Sequence, residues 1–387
     1  MIQLVAKALA EILVSPLKEN KEIPQVTYAL THKNVEIVQR CPLLQSYKSV
    51  WWAVGPFSQT LLQRLYPISK KDSTCYRREL FKLSFDNVEL ALDWKEDGMM
   101  DSTTPVIMCL HGLGGDSGSK YMQVFTNECM ERGVRLIVYN RRGHADSNLM
   151  PEDRGKHVPH VFPQHVNMED MEEVVAHVHT LYPRAPKYLV GFSCGANLAI
   201  HYIVKHPEMF KATVSICNGY DIWKLNDLLL AHHPATNKLA ARFLQDVLKR
   251  NLTQAKIIAK AQELDIDFDK AMSCKTLNDF ESAVVFPAYG YTSLEEYYTA
   301  ASCCKHLDNV TTPLLCINNQ EDPIVPAELI DIPRIASTTN PNIINVETVH
   351  GGHLGWIDAY GKTPWYMKLV FEYFAASNVT KNQRLVR

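Results

Sequence analysis

The sequence predicts an α/β fold: a mostly parallel central sheet, helices on both of its faces, and a helical insertion. Three observations carry this prediction. From residue 105 onward, apolar strand-like runs alternate with helix-like segments, as in a sheet whose strands are joined by crossover helices. A Gly-x-Ser-x-Gly turn, Gly191-Phe-Ser-Cys-Gly195, separates the β-forming run Lys187–Val190 from the helix-compatible run Leu198–Ile203. The alternation then stops between Gly219 and Lys305, where only helical patterns occur.

Composition narrows the class. The 387 residues are 46% hydrophobic and 21% charged with a formal net charge of -2, which suits one large α/β domain or two smaller ones. So balanced a charge leaves no electrostatic footprint for nucleic acid. Ten cysteines are scattered without a C-x-x-C pair, and the adjacent Cys303 and Cys304 are poor geometry for a metal. With no secretory signal, free thiols in a reducing compartment follow, and the expected location is intracellular, cytoplasmic or peripherally membrane-associated. The 15 histidines are dispersed; in the nearest cluster, His177 and His179, a spacing of two puts the rings on different helix faces. No metal and no cofactor is expected.

Met1 to Pro16 carries helical apolar spacing interrupted by Lys7 and Glu11, too short and charged to span a bilayer. It reads as a helix packed on the domain, with a peripheral membrane anchor as the alternative. Cys41 to Tyr66, with Trp51, Trp52 and Phe57, reads as an irregular aromatic segment over the core. Glu79 to Trp94 alternates as an antiparallel hairpin turning at Asp86-Asn87. Strands are predicted at Pro105–Leu110, Val134–Tyr139, Tyr188–Phe192, Ala212–Cys217, Pro313–Ile317 and Ile343–Val349. Helices are predicted at Lys120–Arg132, Met168–Leu181, Ala196–Lys205 and Pro364–Phe374. In the second of these, Met171, Val174, Val175, Val178 and Leu181 make the apolar stripe, and the acids are a solvated face. Within the insertion, Leu225–Leu230, Lys238–Arg250 and Gln254–Leu264 read as helices; the aromatic end, Phe286 to Tyr298, packs a core or lines an apolar cavity.

Acyl transfer through serine needs a base, an orienting acid and donors for the oxyanion. The turn at Ser193 is the strand-to-helix elbow of such a nucleophile: small residues two positions either side allow strand and helix to approach. Chance supplies the pattern in roughly one chain in eight of this length, so its context has to carry the weight. Downstream, Asn318-Asn-Gln-Glu-Asp322-Pro-Ile-Val-Pro326 follows a strand, offering Asp322 as the acid and Glu321 as its alternative. His350-Gly-Gly-His353-Leu-Gly-Trp356 follows the next strand, offering His353 as the base and His350 as its alternative. His111-Gly-Leu-Gly-Gly115 follows the first parallel-type strand, so the backbone N–H groups of Leu113 and Cys194 are the expected oxyanion donors. A phosphate loop would need G-x-x-x-x-G-K-[ST] or G-x-G-x-x-G, and neither register fits.

HGLGGDSGSKY (His111–Tyr121), YNRRGHADS (Tyr139–Ser147), GFSCGAN (Gly191–Asn197), GYTSLEEYY (Gly290–Tyr298), NNQEDPIVP (Asn318–Pro326) and GGHLGW (Gly351–Trp356) together resemble the type 4 family of the AB hydrolase superfamily. That family includes abhydrolase domain-containing proteins 1, 2 and 3 and fungal medium-chain ester synthase/esterases. CPLLQSY, GPFSQT and the Leu92–Trp94 LDW resemble its N-terminal landmarks, so the resemblance covers most of the chain. It favours Asp322 and His353 over their neighbours and implies carboxylic esters of lipids as substrates: acylglycerols, phospholipids or medium-chain acyl esters. The α/β-hydrolase fold agrees with the alternation above, and the helical insertion, lying over the carboxyl ends of the strands, reads as a cap. Several animal members carry an N-terminal membrane anchor. The expected organisation is an extension over 1–75 packed on the core, a core of 76–218 and 306–387, and a cap over 219–305. A serine hydrolase cycle is the expected function. Transfer to an alcohol is the alternative, since His353 and Asp358 read as H-x4-D. A catalytically silent binding protein of the same fold is the second alternative.

Overall fold

The computed structural model describes residues 19–50, 55–63, 75–150, 162–357 and 363–378. The expected Met1–Pro16 helix, Trp51, Trp52 and Asp358 lie outside the described residues. The chain opens with β1 (Glu19–Glu22), β2 (Gln25–Tyr28), α1 (His32–Gln39), β3 (Tyr47–Val50), α2 (Pro56–Leu62), β4 (Arg77–Lys82) and β5 (Glu89–Lys95). There follow β6 (Val106–Leu110), α3 (Lys120–Glu131), β7 (Arg135–Tyr139), α4 (Met168–Leu181), β8 (Lys187–Phe192), α5 (Cys194–Lys205) and β9 (Ala212–Ile216). The insertion holds α6 (Ile222–His232), α7 (Pro234–Ala261), α8 (Phe268–Ser273), α9 (Leu277–Tyr289) and α10 (Leu294–Ala301). The chain returns through β10 (Leu314–Asn319), α11 (Asp331–Thr339), β11 (Ile343–Thr348) and α12 (Trp365–Ser377).

The main sheet runs β2-β11-β10-β9-β8-β6-β7-β5-β4. The six strands from β11 to β7 are mutually parallel, and antiparallel partners close both edges: β2 on one side, the β5–β4 hairpin on the other. All six parallel strands are buried along their whole length, which is why they read as mostly apolar runs without strict alternation. Their side chains alternate between two cores. Ile107, Val138 and Val190 meet Phe125 of α3 and Phe371 of α12, while Met108, Ile137 and Leu189 meet Met171 of α4 and Leu198 of α5.

Two local expectations change, and one open choice closes. The described part of the Cys41–Tyr66 stretch is more regular than its composition suggests: a 3-10 turn at Pro42–Gln45, then β3 and α2. The two helices expected at Lys238–Arg250 and Gln254–Leu264 are one, α7, of 28 residues. No glycine or proline interrupts it there. Asn251, a weak helix former, is held in place because its Nδ2 donates to Val247 O and to Gly143 O, both at 2.8 Å. The aromatic end is core packing. Tyr291 and Tyr297 stand 4.9 Å apart and Tyr297 and Tyr298 5.3 Å apart between ring centroids. No residue from Phe286 to Tyr298 lines the large cavity below.

Candidate active site

The site gathers at the carboxyl ends of the parallel strands, where open α/β sheets bind their ligands. Ser193 joins β8 to α5 with φ 55 and ψ -122, a backbone state that costs a residue with a Cβ about 1–3 kcal/mol. The two flanking glycines make the turn possible. A Cβ on Gly191 would stand 2.4 Å from the Cα of Ala196, and one on Gly195 2.3 Å from the carbonyl oxygen of Leu110. Both contacts are with backbone, which cannot swing aside.

Asp322 lies just beyond β10 and His353 just beyond β11. Asp322 Oδ1 accepts the backbone N–H groups of Ile324 (2.8 Å) and Val325 (3.0 Å), which fixes the carboxylate in the Asp-Pro turn. Its Oδ2 stands 2.9 Å from Nδ1 of His353, and Nε2 of that ring stands 3.0 Å from Oγ of Ser193. An Nδ1–H tautomer donates to the acid and leaves Nε2 free to accept the serine proton. The histidine loop is held tightly. Gly351 has no room for a Cβ beside the Trp356 indole (2.7 Å), Asn319 Nδ2 donates to Gly352 O at 2.8 Å, and His353 N–H donates to Thr60 Oγ1 at 2.7 Å. Glu321 and His350 face each other instead, at 2.9 Å, on the outer side of the same loops.

Across from them runs the loop after β6. Gly112 approaches so closely that a Cβ there would stand 3.2 Å from the Cβ of Ser193, and its N–H is taken by the Tyr121 hydroxyl at 3.0 Å. The N–H groups of Leu113 and Cys194 donate to no other described residue. His111 is a buried strut: its Nε2 accepts the N–H of Arg141 at 3.1 Å, and burial drives its pKa well below the ordinary histidine value. Next to it, burial and the charge of Arg141 push His144 down to about 3, so both rings are neutral.

A cavity of about 490 Å³ opens over Ser193 and His353, within the range of small-molecule sites. Its wall on the insertion side is apolar, with Leu225 and Leu229 of α6 and Phe243 of α7; Thr60 and Gln63 close it from the N-terminal side.

Sequence reasoning brought together the residues that the structure brings together: Ser193, Asp322 and His353 form one hydrogen-bonded chain, and Leu113 and Cys194 line the cavity beside the serine. It missed the supports. Asp93 Oδ2 accepts from Ser117 Oγ (2.5 Å), Asn140 Nδ2 (2.8 Å) and Arg78 (2.7 Å), while Ser117 N–H donates to Asn140 Oδ1 (2.9 Å), pinning the loop that begins at His111. Burial opposes ionisation of Asp93, but these hydrogen bonds outweigh it and hold its pKa below the usual carboxylate value. An acid in an otherwise apolar strand, Leu92-Asp93-Trp94, was the available signal. Cys217, at φ 50 after β9, also went unremarked; its thiol, the Asp322 carboxylate and the His353 ring have ligand-capable atoms within 4.8 Å of one another. Burial raises that thiol's pKa well above the ordinary value. All ten cysteines are free.

The family model for the alpha/beta hydrolase fold matches residues 105–360. Among similar proteins, the phospholipase ABHD3 of Homo sapiens is 31% identical over 89% of this chain and 82% of its own length. The monoacylglycerol lipase ABHD2 of Danio rerio is 24% identical over 90% of this chain and 84% of its own. The solved esterase PF2001 of Pyrococcus furiosus superposes with a TM-score of 0.51 at 16% identity, over 80% of this chain and 93% of that one, and shows the fold alone. On strand order, elbow geometry and family match together, the chain belongs to the α/β-hydrolase fold family.

Proposed function

We propose that the chain is a serine hydrolase that cleaves carboxylic esters of lipids, acylglycerols or phospholipids, through an acyl-enzyme on Ser193. The observation that carries this is the continuous Asp322–His353–Ser193 hydrogen-bonded chain at the floor of a largely apolar cavity. His353 takes the Ser193 proton as Oγ attacks the ester carbonyl, and Asp322 holds the ring in its tautomer and stabilises the imidazolium. Negative charge grows on the carbonyl oxygen, beside the Leu113 and Cys194 N–H groups; losing one such donor costs about 100- to 1,000-fold in kcat. The protonated ring then gives its proton to the leaving alcohol, and water deacylates the serine by the same route.

In this reading residues 219–305 are the cap that shapes the acyl pocket, 1–75 are an extension packed on the core from which Thr60 and Gln63 line the cavity, and 76–218 with 306–387 form the core. Relatives named phospholipase and monoacylglycerol lipase support a lipid ester. Such substrates reside in membranes, so peripheral contact with a lipid surface belongs to the same proposal. Among the described residues no helix is long and apolar enough to cross a membrane. The test is fatty-acid release from monoacylglycerols and phospholipids of graded chain length, with Ser193→Ala as control and a short alcohol added in a parallel arm. Release that depends on Ser193 supports the reading. Mostly new ester in the alcohol arm makes it an acyltransferase, and no turnover of any ester overturns both.

A further inference from the structure

The cavity is electrically lopsided. Among the described residues that line it, Lys120 alone carries a permanent charge, and no aspartate or glutamate lines it. Lys120 opens α3 and lines the cavity beside the loop after β6, which itself reaches Phe243 of α7 at Gly114. A short chain of contacts ties it to the nucleophile: it precedes Tyr121, whose hydroxyl accepts from Gly112 N–H at 3.0 Å, and Gly112 packs on Ser193. Its ammonium has neither an ion pair nor a hydrogen-bond acceptor among the described residues, and the side chain is half-buried. A surface lysine commonly reaches water or a nearby acid. One that lines a largely apolar cavity with no acid in its lining disfavours cations there and stabilises an anion.

We propose that Lys120 is a specificity-determining residue that holds the phosphate of a lipid ester while the acyl chain lies against Leu225, Leu229 and Phe243. This rests on the ester-hydrolase reading above and adds to it what the head group must carry. The substrate suits the arrangement: in a glycerophospholipid the phosphate is only a glycerol spacer away from the ester carbonyl, so with an ester over Ser193 it stays within reach of the cavity lining to which Lys120 belongs. Ammonium–phosphate contacts are charge-assisted, and one at a half-exposed site is worth about tenfold in binding.

The experiment compares 1-acyl-lysophosphatidic acid with the 1-monoacylglycerol of the same acyl chain, a pair that differs only by the phosphate. The quantity read is the ratio of their kcat/KM values within each enzyme preparation, which cancels any difference in folded fraction. The native chain should favour the phosphate-bearing ester. Lys120→Gln should lower that ratio about tenfold, chiefly through KM, and Lys120→Arg should retain most of it. A ratio unchanged by Lys120→Gln overturns the proposal, as does a native preference for the uncharged ester. Turnover of p-nitrophenyl butyrate, which has no phosphate, reports the ester chemistry separately: its absence in the native chain strikes the ester-hydrolase reading, whereas its presence with an unmoved ratio strikes only Lys120.

Discussion

Two histidine–carboxylate pairs hang side by side from the loops after β10 and β11. The inner pair, Asp322 and His353, is buried and faces Ser193. The outer pair, Glu321 and His350, closes at the same 2.9 Å but is partly exposed and faces away. Glu22 grips the outer loop through the N–H groups of Val349 and His350, and burial raises its pKa. Residue types, pair distance and position in the chain are nearly equal; what separates the pairs is where the backbone sends them. Asp322 is turned inward by two backbone N–H bonds, and His353 sits in a glycine-tight loop whose N–H is caught by Thr60. Chemistry here is a property of placement more than of composition.

That contrast can be broken in several ways. The largest effect belongs to Ser193→Ala and His353→Ala, each expected to cost about a million-fold in kcat, as removing one member of a linked triad does. Residual turnover within a hundredfold of native would mean that another nucleophile operates. Gly195→Ala attacks the elbow itself: its Cβ would meet the carbonyl oxygens of Leu110 and His111 at 2.3 and 2.6 Å. Thermal or denaturant unfolding should show a loss of about 3 kcal/mol, and an unshifted midpoint would contradict the close strand–helix approach. Asp93→Asn loosens the loop that begins at His111, proposed to carry the Leu113 donor, without touching substrate. It should lower kcat about tenfold, a fraction of the cost of losing an oxyanion donor outright, with little change in KM. Smallest is His350→Ala: activity within about twofold of native and stability within about 1 kcal/mol, the range of exposed ion pairs.

Much of this was legible in the sequence because it is local. Fully buried parallel strands leave apolar runs, and an elbow needs Gly191 and Gly195 for steric reasons that survive in one dimension. The choice between His353 and His350 was not settled by spacing, because both follow the same strand and only the fold of Gly351–Trp356 aims one of them inward. Asp93 was hidden for a related cause: it acts through Ser117 and Asn140, both far along the chain. The continuity of α7 escaped because Asn251 is a poor helix former until Gly143 O is beside it. The place of Lys120 belongs to the same class, since only the folded cavity shows that no acid shares its lining.

The decisive measurement is the second-order rate of fluorophosphonate labelling at Ser193, located by mass spectrometry of the peptide that contains it, in the native chain, Asp322→Asn and Glu321→Gln. If the inner pair activates the serine, Asp322→Asn slows labelling about ten-thousand-fold while Glu321→Gln stays within about twofold of native. Equal losses in the two variants, or a larger loss in Glu321→Gln, would contradict the assignment of Asp322 and His353 as the pair that drives the chemistry.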